Sequence, residues 1–130
     1  MRSSLIRLLV VAGTWLSLTA AVQTPVPAEQ VDALKASPAN FRLLLENDHV
    51  RVLEYALGPG ARDQWHTHPA RVSYVVAGGT VRVTAADGRS FVVDEKAGDT
   101  TWSDPAPRHF VENVGATAVK TLLVEVKERP

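Results

Sequence analysis

The chain has 130 residues, 14 basic and 14 acidic groups, a formal net charge of zero, and no cysteine. That length fits one domain. The charge balance argues against a nucleic-acid binder, which needs a basic face to neutralise phosphates, and the missing cysteine excludes disulfides, thiolate ligands and cysteine nucleophiles.

Arg2 and Arg7 open the chain, followed by an uncharged, largely apolar run from Leu8 to Ala21 that ends in Thr19-Ala20-Ala21. A positive start, a short apolar stretch and small closing residues make a signal peptide, with cleavage expected after Ala21. Gly13, Thr14, Ser17 and Thr19 dilute the run, which is shorter than the ~20 residues a membrane-spanning helix needs. Residues 1–21 are therefore expected to be removed, leaving a periplasmic or secreted product with no membrane attachment. That product has 109 residues and two more acidic than basic groups. Lacking disulfides, it must draw its stability from its core or from a metal.

Residues 22–40 read as a lead-in. Pro25 and Pro27 exclude a helix there, whereas Ala28 to Ala36 can form a short one, stopped by Ser37-Pro38. A domain over 41–128 follows. Phe41 to Glu46 is a short apolar run closed by the turn pair Asn47-Asp48, and His49 to Leu57 alternates with apolar groups on both faces. Gly58-Pro59-Gly60 breaks the chain. Short strands are then predicted over 64–68, 72–77, 80–84, 90–94, 110–114 and 118–127. Gly78-Gly79, Ala86-Asp87-Gly88, Ala97-Gly98-Asp99, Asp104-Pro105-Ala106-Pro107 and Gly115-Ala116-Thr117 separate them as turns. Eight glycines and eight prolines agree with so many turns. Short strands without intervening helices predict an antiparallel all-β domain.

Three of the four histidines stand at informative places. His66 and His68 are two apart, so on a strand both imidazoles point to one face, and Gln64 shares that parity. Paired imidazoles suit Fe, Zn, Ni or Cu. His109 follows the Pro-rich turn and opens a later strand, from which it can supply a third ligand.

Gly60, His66-Thr67-His68, position 72 and Gly79 match the first cupin motif except at its carboxylate. Gly98-Asp99, Pro105, His109 and Asn113 match the second. Over about 41–127 the chain resembles the small single-domain cupins, whose fold is an antiparallel jelly-roll β-barrel. The resemblance implies a divalent metal (Fe, Zn, Mn, Ni or Cu) held by His66, His68 and His109, with water or Gln64 as a further ligand. The family's glutamate falls at position 72, or at 73 in the longer spacing, where this chain has Val72 and Ser73. On that alignment Val72→Glu is expected to restore a four-ligand site. The second motif also carries one extra residue around Asp104 to Pro107.

Without the carboxylate, three neutral imidazoles leave a cation its full charge, which favours an anionic or dicarbonyl small molecule as ligand. Such a site suits a metal-dependent oxygenase, a non-catalytic binder or sensor, or, if metal-free, a structural barrel. No catalytic residue is assigned: Glu54 and Glu112 lie on predicted strands with undefined facing. Trp65 is expected to face away from the ligands, Trp102 to pack the barrel mouth, and His49 to be solvated; Arg71 and Arg108, close in sequence to the ligands, are read as surface charges ahead of the alternative that either orients a substrate carboxylate. The edge strand over 41–46 invites pairing with a second copy, so a homodimer is expected.

Overall fold

A computed structural model describes residues 29–128, which leaves the expected signal peptide outside the described residues. The described residues form one four-residue helix, α1 (Ala33–Ala36), and nine strands. These are β1 (Phe41–Glu46), β2 (Val50–Leu57), β3 (His66–His68), β4 (Arg71–Ala77), β5 (Gly79–Ala85), β6 (Ser90–Glu95), β7 (Thr100–Ser103), β8 (Ala106–Asn113) and β9 (Val119–Val126). They build two antiparallel sheets of order β1-β2-β9-β4-β7 and β3-β8-β5-β6. From β2 onward the chain passes repeatedly from one sheet to the other, a jelly roll, and among the described residues no hydrogen-bonded ladder closes the two sheets into a ring.

Alternation decides what lies between the sheets. Leu53, Tyr55 and Leu57 of β2 and Val119 and Leu123 of β9 are buried with Phe41 and Val81 in one cluster. Ala33 belongs to the same cluster at 0% exposure, so the end of the lead-in is packed into the domain. Asp32 caps α1 by accepting from the Lys35 N–H at 3.1 Å, and the Thr67 N–H donates to the Val31 carbonyl at 2.8 Å. The lead-in is thereby tied to the histidine strand.

Two corrections concern the region before His109. The residues expected to join strands at Ala97 to Pro107 include a strand of their own, β7, which pairs with β4 from Arg71↔Ser103 to Tyr74↔Thr100. The expected turn at Asp104 to Pro107 is shorter than predicted, because β8 begins at Ala106. Between β3 and β8, His66 pairs with His109 and His68 with Ala106. Two steps on one strand face three on the other, a bulge that absorbs the extra residue of the second motif. Pro107, which has no N–H for a ladder, sits inside it. Trp102 is also corrected: it is 57% exposed rather than packed at a mouth, and its Nε1–H donates to Asp104 Oδ1 at 3.2 Å.

Candidate metal centre

His66 and His68 project from β3, and the bulge sets His109 of β8 opposite His66. All three are buried, and a nitrogen of each lies within 4.8 Å of those of the other two. The rings pack against one another with centroids 4.5 to 5.6 Å apart, and Phe41 packs edge-on against His66 and His68.

Hydrogen bonds fix which nitrogen is free. His66 Nδ1 lies 2.6 Å from the Gln64 carbonyl oxygen, His109 Nδ1 2.8 Å from the Pro107 carbonyl oxygen, and His68 Nδ1 2.7 Å from Glu125 Oε1. Each partner is an acceptor, so each Nδ1 carries the proton and each Nε2 keeps its lone pair for a cation. The rings are also held neutral. Burial lowers the proton affinity of His66 and His109 and takes His68 down to about 4. Neutral imidazoles with free Nε2 atoms are what a divalent ion requires, so this donor set fits a metal and could hold one.

Glu125 is the residue the sequence reading missed. It is 1% exposed on β9 and holds His68 with one oxygen. Its other oxygen accepts from Arg51 Nε at 2.7 Å and lies 2.6 Å from Arg51 Nη2. Arg51 Nη1 in turn lies 2.7 Å from Asp32 Oδ2. Asp63 stands behind His66: it accepts from Tyr55 Oη at 2.9 Å and from the Val111 N–H at 2.7 Å. Burial pushes its carboxyl above the ordinary range.

Gln64 does not share the face expected of it. The strand begins at His66, Gln64 is exposed, and its contribution is the main-chain carbonyl under His66. Val72 is corrected in the same way. On β4 the residues lining the interior are Arg71, Ser73 and Val75, so Val72 takes the opposite face and the inward position is Ser73. Arg71, expected at the surface, instead lines a cavity of about 420 Å³ that the three histidines share. Two of its nitrogens, Nε and Nη1, are buried with no hydrogen-bond partner among the described residues. Arg108 also keeps a buried, unpartnered Nε, but its guanidinium lies 5.9 Å from the Trp65 ring. Trp65 packs edge-on against Phe110 at 4.6 Å and, as expected, is not among the residues lining the cavity. His49 is exposed, also as expected.

The family model described as a cupin domain matches residues 53–125. No curated protein matches the chain. Among solved structures, a cupin domain from Bordetella pertussis is 21% identical with a TM-score of 0.63, over 77% of this chain and 98% of that one. An RmlC-like cupin with a double-stranded β-helix fold from Methanocaldococcus jannaschii is 15% identical with a TM-score of 0.55, over 66% and 77%. A cupin-like protein from Thermotoga maritima is 19% identical with a TM-score of 0.51, over 65% of each chain. At these identities the likeness is one of fold.

Proposed function

Because the chain belongs to the cupin family, we propose that it binds one divalent metal ion through His66, His68 and His109 and uses that centre on a small anionic or dicarbonyl compound. The observation that carries this reading is that all three Nδ1 atoms are engaged with acceptors while three Nε2 atoms remain available within one buried cluster. A metal there supplies Lewis acidity and open coordination positions; a redox-active ion would suit an oxygenase. The chain's own residues orient the imidazoles, keep them neutral and surround the ligand with a largely apolar wall.

A second reading, a non-catalytic binder or sensor, has its own support. The two carboxylates nearest the histidines are already committed, Asp63 to Tyr55 and Val111, and Glu125 to His68 and Arg51. Neither is left over as a general base. The proposal also includes export to the periplasm or beyond, resting on residues 1–21, and assembly as a homodimer.

Elemental analysis of protein purified without a histidine tag tests the centre. One equivalent of metal is expected, lost in His68→Ala together with thermal stability, and kept in His49→Ala. Metal retained by His68→Ala sinks the three-histidine reading, and its absence from the native protein favours a metal-free barrel. An oxygen-consumption screen of the loaded protein then separates enzyme from binder.

A further inference from the structure

The cavity wall is divided. On the β4 and β7 side, Arg71 pairs across the strands with Ser103 and Ser73 with Thr101, and all four line the cavity. A guanidinium and three hydroxyls therefore share one surface, since directly opposed residues occupy the same face. The facing sheet presents Val81, Val83, Val93 and Val111. Arg71 is the sole Arg or Lys among the lining residues, and its charge reaches all three imidazoles, where it adds to burial in disfavouring protonation.

Arg71 also differs from the neighbouring arginine in what it meets. Arg51 is paired to both Asp32 and Glu125. Arg71 forms no ion pair, and two of its buried nitrogens face no acceptor among the described residues. Glu125, its partner across the β4–β9 ladder, acts on Arg71 only through space, since its two oxygens are taken by His68 and Arg51; buried donors left unpaired are costly, and planar N–H donors of this kind match a carboxylate. The other charged groups lining the cavity away from the histidines are Glu95 and Asp99, which oppose a second negative charge.

We infer that Arg71 anchors the carboxylate of an apolar monocarboxylic acid, with Ser73, Thr101 and Ser103 around the head and the valines against the body. This names the ligand class of the cavity. It rests on reading that cavity as the ligand site of the proposed function, and it does not require the metal.

Calorimetric titration of benzoate, benzamide and phenyl phosphate into chelator-treated and zinc-loaded protein tests the assignment. Benzoate is expected to bind both forms, benzamide to bind at least about tenfold more weakly for want of the charge, and phenyl phosphate to bind no better than benzoate. Arg71→Gln should lose about tenfold or more in benzoate affinity while zinc stoichiometry and the circular dichroism spectrum stay native. Arg71→Lys, which keeps the charge without the fork, should fall between the two and serves if the glutamine variant fails to fold. The inference is overturned if benzoate does not bind, if benzamide or phenyl phosphate matches or exceeds it, or if every Arg71 variant that folds binds it like the native protein. Benzoate binding without zinc uptake would instead overturn the metal reading and leave this one standing.

Discussion

Each histidine of the cluster is aimed by something other than a metal, and Glu125 aims His68 with a charge rather than a peptide dipole. Glu125→Gln keeps an oxygen near His68 but removes the negative charge and the pairing with Arg51. Metal affinity is expected to fall about 10- to 100-fold, read by competition with a chromophoric chelator; an unchanged affinity would reduce Glu125 to a structural partner of Arg51. Protonation supplies a second handle. The unfolded chain takes up the His68 proton near 6.5, whereas burial delays this in the fold to about 4. The unfolded state thus binds more protons between those values, so stability of the metal-free protein is full above about pH 6.5 and declines as pH falls toward 4. For this one group the loss approaches about 3 kcal/mol, with His66 and His109 acting in the same direction. Denaturant titrations at about pH 7 and pH 5 should show it, and equal midpoints would count against neutral, buried imidazoles.

Strand parity and its interruptions explain which residues reach the interior. Ser73 lines the cavity and Val72 does not. Ser73→Glu should therefore tighten metal binding, whereas Val72→Glu should leave the affinity unchanged, both read by the same chelator competition; the reverse ranking would mean that β4 is displaced by one residue. Apolar runs, alternation in β2 and the turn signals between them made β1, β2, β5 and β6 legible nearly to their ends, and the H-x-H pair with its later partner made the cluster legible through motif spacing. The pattern was silent where local chemistry and tertiary pairing disagree. The residues of β7 lie between Gly98-Asp99 and Asp104-Pro105, so turn signals outweigh a four-residue strand whose formation depends on β4. Gln64 left the expected face because β3 begins only at His66. Glu125 shares the parity of Val119, Thr121 and Leu123, which was the available signal. Leu122 and Val124 are apolar on the other parity and concealed which face was inside. Arg71 looked like a surface charge because one sequence cannot show that its strand face is enclosed.

The molecule as a whole has two unlike sides. At one, β1 and β3 are the sheet edges, and Phe41, α1 and the Val31–Thr67 pairing close the gap. Leu43, Leu44 and Leu45 of β1 are 43%, 44% and 50% exposed on a strand with one free edge. Pairing of that edge with a second copy is the proposed dimer contact, and light scattering is expected to give twice the chain mass; a monomer across the micromolar range would remove it. At the other side, β6 and β7 follow one another in the chain yet end different sheets, with no ladder between them among the described residues. Phe91, Asp99 and Thr101 border the cavity there and are exposed. The histidines sit toward the closed side, on β3 and β8, and Arg71 sits nearer the open one, on β4. Were an acid to seat at Arg71 as inferred, it would therefore lie on the side of the cavity that borders this gap, with the histidines toward the closed side.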